Sequence, residues 1–155
     1  MNEIKNIFEL LSASFEKNAW HGPAVMEVIG PLSEGDALRK LPNTHSIIEL
    51  VNHMTAWRIF VEKRISGDYT YQVTESLNFP ESSDWAATLR GLRESQSRLL
   101  EAVRSFPAER LSEKVPHPEQ NYNFNFYTLL HGVIHHDLYH VGQIMLINKT
   151  SNSPG

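Results

Sequence analysis

The chain has 155 residues, of which 41% are hydrophobic, and a formal net charge of −4, which together predict one globular domain with its own core. Its 14 Lys and Arg residues are scattered along the sequence, which argues against a phosphate-binding surface and therefore against nucleic acid as a partner. The absence of cysteine excludes disulfides, thiolate ligands and a cysteine nucleophile, so any metal must be held by imidazole and carboxylate groups.

The N-terminal segment favours a cytoplasmic protein. Its sequence, MNEIKNIFELLSASFEK, has acidic residues from the third position and apolar residues at helical spacing, which fits neither a cationic secretory leader nor a transit peptide. No apolar run in the chain approaches the ~18 residues of a membrane span. We therefore expect a cytoplasmic location and no membrane partner.

Apolar residues at helical period predict two helical regions in the first half of the chain. The first helix begins at about Glu3, and Pro23 marks a kink or a restart of that helix. The second helix covers residues 46–67, where Ser46 and Glu49 form a capping-box signature at its start.

Two further helices are predicted in the second half of the chain. Asp84 is a candidate cap for the third helix, which ends at Pro107, and the fourth helix extends from Phe126 to about Ile147. The alternation typical of a strand is limited to a few residues near Tyr69–Val73. We assign the segments without a regular period to loops: residues 31–45, 68–83 and 107–125.

This pattern predicts an all-α protein built as a four-helix bundle. Metal and ligand sites in such bundles are formed by side chains that face the interior. We assign residues 1–150 to a single domain and residues 151–155 to a disordered polar tail. Aromatic residues near helical spacing mostly belong to the core, and this expectation covers all three tryptophans: Trp20, Trp57 and Trp85.

The fourth helix carries an unusual number of imidazoles. Its segment HGVIHHDLYHVGQIML, residues 131–146, contains four of the eight histidines. At about 100° per residue, His136 and His140 share an apolar stripe, whereas His131 and His135 face away from it. Two imidazoles four residues apart can bind one ion, since their Cβ atoms are only ~5–6 Å apart.

A third imidazole is available on the second helix, where His53 lies at the margin of the apolar stripe. If the second and fourth helices are neighbours, His53 can converge with His136 and His140. Three neutral imidazoles suit Zn²⁺, Ni²⁺, Cu²⁺ or Fe²⁺ better than Mg²⁺ or Ca²⁺. Three protein ligands also leave coordination positions open for water or substrate, as in catalytic rather than structural sites.

Further assignments concern the residues near the three converging histidines and the histidines outside the helices. The candidates for contacts that orient the imidazoles are Trp57, Tyr139 and Gln143. Asp137 is close to His136 and His140 in the sequence but lies about 100° from His136 around the helix, and we assign it to a polar flank of the helix. The remaining histidines lie in or beside loops and are expected at the surface: His21, His45 and His117.

The fourth helix also has a second apolar side, opposite to the histidine stripe. Its members are Ile134, Leu138, Val141 and Met145. We expect this side to be covered either by the long loops or by a second copy of the chain, which would make the protein a homodimer.

Three segments of the sequence resemble the DinB-like superfamily, close to its YfiT-like branch. They are AWHGPAVMEVI at 19–29, THSIIELVNHMTAWR at 44–58 and HHDLYHVGQI at 135–144. The resemblance covers nearly the whole chain and implies an up-down-down-up bundle that is often a homodimer. It further implies a divalent metal, nickel or zinc among others, bound by His53, His136 and His140.

The chemistry implied by this resemblance is of two kinds, namely thiol transfer or isomerisation with bacillithiol, mycothiol or glutathione, and metal-dependent hydrolysis. We expect an enzyme whose metal activates a low-molecular-weight thiol, or water, for attack on a small electrophile. Two alternatives remain open, a non-catalytic, stress-associated metal-binding dimer and a bundle whose inward histidines only form hydrogen bonds. Tyr69, Tyr71 and the segment NYNFNFY are candidates for the pocket mouth, and no general base is identified.

Overall fold

The computed structural model describes residues 3–118 and 123–151, except for the side chain of Ser151. Within these residues the secondary structure is helical, with a single-residue β-bridge between Lys114 and Asn125 and a short 3-10 turn at Ala108–Arg110. The α-helices of this part of the chain are α1 (Glu3–Phe15), α2 (Val25–Ile29), α3 (Glu34–Ala37), α4 (Ile47–Ile65), α5 (Glu75–Asn78), α6 (Trp85–Ser105) and α7 (Phe126–Ser151).

The caps predicted for two long helices are confirmed. The Ser46 hydroxyl accepts a hydrogen bond from the backbone N–H of Glu49, and the Glu49 carboxylate accepts one from the backbone N–H of Ser46 at 2.7 Å. The Asp84 carboxylate accepts a hydrogen bond from the backbone N–H of Ala87 at 2.8 Å. These bonds satisfy donors that the first turn of a helix leaves without partners, so α4 and α6 begin where the sequence indicates.

Four helices, α1, α4, α6 and α7, form the bundle, and their pairing sets the topology. In the α4–α7 pair, His53 lies beside His140 and Arg58 lies farther along α4 beside Asp137, so α4 and α7 are antiparallel. In the α4–α6 pair, Arg58 contacts Gln96, and the later residues of both helices share one core cluster.

The direction of α1 completes the arrangement. Its first residue, Glu3, lies near His131 early in α7, and its last, Phe15, belongs to the same core cluster as Val141 later in α7. Helix α1 is therefore parallel to α7, and α4 is parallel to α6. The bundle has the up-down-down-up topology that the family resemblance implies.

The apolar core forms two clusters along the bundle axis, one at each end. A layer of polar side chains that includes Arg58, Gln96 and Asp137 separates them along α4, α6 and α7. The fully buried members of the first cluster include Ile7, Leu11, Leu99, Val103, Phe126 and Leu130. Those of the second cluster include Phe15, Ile29, Ile47, Met54, Leu92 and Ile144.

The prediction of two separate apolar sides for the last helix is wrong. Its buried residues cover one continuous arc of about 140°, and Asp137 lies inside this arc with 1% of its surface exposed. Helices α1 and α2 both contact α7, Ile134 is buried in a core cluster with residues of α1, and Val141 is buried in one with residues of α2. The chain itself therefore covers the surface that suggested a second copy, and the homodimer stays a prediction based on the resemblance.

Other differences concern local segments. Residues 31–45 and 68–83 contain the short helices α3 and α5, no strand forms at Tyr69–Val73, and α7 continues four residues past Ile147. Of the expected tail, residues 152–155 lie outside the described part of the chain. No described helix is both long and apolar enough to cross a membrane.

The expectation that Trp20 belongs to the core is also wrong. Its side chain is fully exposed, whereas Trp85 is buried and Trp57 is half-buried. Trp20 lies in the turn between α1 and α2, where Asn18 and Gly22 adopt positive φ angles of 64° and 123°. The chain leaves its helical path there, so spacing counted along α1 no longer indicates the direction of the side chain.

Candidate metal centre

Helices α4 and α7 bring the three predicted imidazoles together. The Nε2 atom of His136 lies 3.0 Å from Nε2 of His53 and 3.2 Å from Nε2 of His140. One potential ligand atom from each residue lies within 4.8 Å of the others. Nitrogens bound to one zinc-sized ion at ~2.0–2.1 Å are separated by ~3–3.4 Å, depending on the bond angle. The two measured separations lie within this range.

Two of the imidazoles are oriented by hydrogen bonds from their outer nitrogens. Nδ1 of His53 donates to the backbone carbonyl oxygen of Asn78 at 2.7 Å. Nδ1 of His140 donates to Oε1 of Gln143 at the same distance. Because a carbonyl oxygen can only accept, both Nδ1 atoms carry the proton, and both Nε2 atoms present a lone pair to the centre of the group.

This proton arrangement provides a test of whether the residues fit a cation. Between the three Nε2 atoms only His136 can supply a proton, and one N–H can point to only one neighbour. The other short contact then has no proton between its two nitrogens, which is unfavourable at hydrogen-bonding distance. A cation between the three nitrogens would accept all three lone pairs, so the donor set fits a divalent transition metal.

The protonation of the group also suits metal binding. Burial lowers the pKa of His136 to about 3, and repulsion from the neighbouring His140, His53 and Arg58 acts in the same direction. Burial is likewise the main cause of the lowered pKa of His53 and of His140. The three imidazoles are therefore neutral at physiological pH, the form that binds metals.

The loop that contains α5 covers the group, and its contacts with the imidazoles were not predicted from the sequence. Besides its carbonyl, Asn78 accepts a hydrogen bond from the Trp57 indole N–H at 3.1 Å through its side-chain oxygen. The Phe79 ring stacks on His53 at 4.0 Å and on His45 at 3.7 Å. Since two rings cannot occupy one face at these distances, Phe79 lies between the two histidines.

The three residues predicted to orient the imidazoles make different contacts with them. Gln143 bonds His140 directly, and Trp57 holds the Asn78 side chain while its ring lies 6.1 Å from that of His136. Tyr139 is 65% exposed, and the centroid of its ring lies 5.0 Å from that of the His140 ring, with the two ring planes 77° apart. Only Gln143 among the three bonds a ligand candidate through a polar atom.

The other histidines of α7 stay outside the group, as their angles predict. His135 is exposed, and His131 is half-buried against the Tyr127 ring at 4.3 Å. Of the histidines expected at the surface, His21 is exposed, whereas His117 is half-buried near Phe60.

A buried ion pair lies directly behind the imidazoles. Arg58 donates to the carboxylate of Asp137 and to the side-chain oxygen of Gln96. Gln96 in turn donates to the backbone carbonyl of Leu11 at 3.1 Å. Burial raises the pKa of Asp137 to about 6, against the opposing effect of the Arg58 guanidinium. The assignment of Asp137 to a polar flank is therefore wrong, because Arg58 provides a partner for it inside the bundle.

Two clefts border the group of imidazoles. The first, which we call the apolar cleft, has a volume of about 220 Å³ and is lined by Trp57, Phe60, Val61, Phe124, Thr128, Leu129, Gly132, Val133 and His136. The second, the mixed cleft, has a volume of about 530 Å³ and is lined by Leu41, Asn43, Thr44, His45, Leu50, Phe79, Tyr139, His140, Gln143, Leu146 and Ile147. His136 faces one cleft and His140 faces the other.

The aromatic residues proposed for the pocket mouth are only partly placed there. Phe124 lines the apolar cleft, whereas Tyr69 and Tyr71 pack against the first core cluster. Tyr127 contacts His131 instead, and Tyr122 lies outside the described residues.

The fold and the site together define a four-helix bundle with a candidate metal centre, in which three imidazoles converge between antiparallel helices. A family model of the DinB superfamily matches residues 19–144, which include all three histidines. The chain therefore belongs to the DinB superfamily. No curated protein and no solved structure matches it. Its place in the YfiT-like branch stays a prediction.

Proposed function

We propose that this protein is a metal-dependent enzyme that transfers a low-molecular-weight thiol to a small electrophile, with zinc or nickel held by His53, His136 and His140. The observation that carries the proposal is the convergence of three neutral imidazoles whose short Nε2 contacts cannot all be hydrogen bonds. The cytoplasmic location and the homodimer are further parts of the proposal.

The number of potential ligands supports a catalytic role over a structural one. Structural zinc sites use four protein ligands, whereas catalytic sites use three and keep a position open. Among the described residues, the group of potential ligand side chains consists of these three histidines. The nearby carboxylate of Asp137 is paired with Arg58 inside the bundle, which makes it a poor fourth ligand.

A divalent ion in this site would lower the pKa of a bound thiol or water, so that the nucleophile is available near neutral pH. The protein residues supply orientation and partial exclusion of water. Asn78 and Gln143 fix two imidazoles, and the stacked Phe79 ring shields the face of His53.

The two clefts favour transfer between two small molecules over hydrolysis. Water needs no cleft of its own, whereas a thiol and an electrophile each need one. The apolar cleft meets the group at His136, and the mixed cleft meets it at His140. Two reactants bound in clefts that both border the imidazoles would react within one complex, which removes much of the entropic cost of bringing them together.

The experiment is a screen of zinc-loaded and nickel-loaded protein with glutathione, bacillithiol and mycothiol, each offered with a chromogenic electrophile. We expect metal-dependent formation of one thiol conjugate, identified by mass spectrometry, and its loss in His136→Ala. Hydrolysed electrophile without conjugate would identify a hydrolase instead. Full metal occupancy without either product would contradict the proposal and favour the non-catalytic, stress-associated bundle.

A further inference from the structure

We propose that the apolar cleft beside His136 binds the apolar group of the electrophile, an aromatic ring or a short alkyl chain, and thereby determines which substrates react. This inference rests on the proposed function for its role in catalysis. The binding itself can be measured without turnover.

The walls of the cleft determine the chemistry of its occupant. Helix α4 contributes Trp57, Phe60 and Val61, and α7 contributes Leu129 and Val133. No Asp, Glu, Lys or Arg belongs to the described lining, and the one titratable group there is His136. A charged or strongly polar group would lose its hydration in this cleft without compensation, whereas an apolar group gains from leaving water.

The size of the cleft limits that group. A dry cavity of about 150 Å³ lined by aliphatic and aromatic side chains accommodates one benzene molecule. The apolar cleft, at about 220 Å³, therefore has room for one aromatic ring with a small substituent or for a short alkyl chain.

The position of the cleft connects it to the reaction. His136 lines the cleft, and its Nε2 atom lies within hydrogen-bonding range of both other imidazoles. A group seated between Trp57 and Val133 therefore places the atoms attached to it next to the group of imidazoles. Among the described residues that line the apolar cleft, His136 is the only one that also belongs to the group of three imidazoles.

Gly132 keeps the cleft open. It lies on α7 one turn before His136 and lines the cleft, and a Cβ atom added to it would meet no heavy atom within 4 Å. A Cβ atom at this position therefore displaces no protein atom, and we expect a larger side chain to occupy part of the cleft that Gly132 lines. Gly142, on the same helix, has equally open space but is exposed and lines neither cleft, so it provides a matched control.

The binding experiment uses the zinc-loaded full chain, toluene as the probe and methyl NMR as the readout. We expect saturable shifts of the methyl signals of Val61, Leu129 and Val133. The shifts should be lost in Gly132→Val and kept in Gly142→Val. A zinc titration of both variants should match that of the unchanged protein, which shows that the site and the fold are intact.

Two outcomes would overturn the inference. One is toluene binding to Gly132→Val with unchanged affinity, and the other is an absence of shifts at these three methyl groups. Gly132→Ala provides a smaller obstruction and should weaken binding without abolishing it. A negative thiol-transfer screen would not affect this binding result. The proposed function and the binding role of the cleft can therefore be refuted separately.

With an active enzyme the cleft also predicts a change in specificity. Gly132→Val should lower kcat/KM for an aryl electrophile by about tenfold or more, as expected for a lost apolar pocket, and should lower kcat/KM for a methyl electrophile much less. Equal losses for the two electrophiles would contradict a role of the cleft in specificity while leaving the thiol-transfer activity established.

Discussion

The carboxylate of Asp137 on α7 is paired with the guanidinium of Arg58 on α4, and the exposed fractions of the two side chains are 1% and 0%. Asp137 directly follows His136, and Arg58 lies five residues after His53. The pair therefore joins the two helices that carry the imidazoles at the level of the candidate metal centre. A shift of one helix along the other would break the pair, so it fixes the relative position of His53 and His136.

Removal of one member of this pair should destabilise the fold strongly. Asp137→Leu or Arg58→Met leaves the remaining charge buried without its partner, which typically costs about 3–5 kcal/mol of unfolding free energy. The double variant should lose much less than the sum of the two single losses, as measured by urea denaturation. Additive losses would show that the two side chains do not interact in solution.

Alanine substitutions should separate the ligand candidates from the other histidines of α7. We expect His53→Ala, His136→Ala and His140→Ala to lower the bound metal from about one ion per chain to near zero, because two imidazoles hold an ion poorly. The controls His131→Ala and His135→Ala should keep it. Elemental analysis of protein purified without a metal-affinity tag gives the measurement, and equal losses in all five variants would refute the assignment.

Gln143 should affect metal binding through the imidazole it orients. Gln143→Leu removes the acceptor for the Nδ1–H of His140 and should weaken metal affinity by about 10–100-fold, as found for such outer contacts. Gln143→Glu keeps an acceptor and should largely restore the affinity. A competition titration with a chelator measures both variants, and unchanged affinity in Gln143→Leu would show that packing alone holds His140.

The metal-free protein should lose stability as the pH falls below 6.5. Burial lowers the pKa of His136 to about 3 in the folded state, whereas in the unfolded chain it returns to about 6.5. Between these values the unfolded state binds more protons, so the free energy of unfolding decreases as the pH is lowered from 6.5 towards 3. Urea denaturation from pH 7 to pH 4 measures the slope.

The control for this pH dependence is His136→Asn, which removes the titrating group. The variant should show a smaller decrease of unfolding free energy over the same pH range. An identical slope in the two proteins would mean that His136 already takes up its proton in the folded state.

Local rules were sufficient to predict the long helices and the facing of the histidines. The angle between His136 and His140 depends only on the geometry of α7, and the caps of α4 and α6 depend on residues within one turn. The same rules failed for Asp137, because its burial depends on Arg58, 79 residues away in the sequence. A single carboxylate between apolar positions looks like a polar flank until its partner is known.

The cover of the site could not be predicted for a different reason. His53 is oriented by the backbone carbonyl of Asn78, and every residue has such a carbonyl, so no residue type at position 78 signals the contact. The lack of a regular period in residues 68–83 predicts a loop. The path of that loop over α4 depends on tertiary packing.

Because the hydrogen-bond acceptor for His53 is a main-chain carbonyl oxygen, this contact cannot be redesigned by substitution alone. Substitution at position 78 changes the amide that holds Trp57, yet any amino acid placed there still presents its carbonyl oxygen to His53. Changing the metal preference through this contact would require inserting or deleting residues in the connection between α4 and α6. The loop's length, rather than its composition, is the adjustable property there.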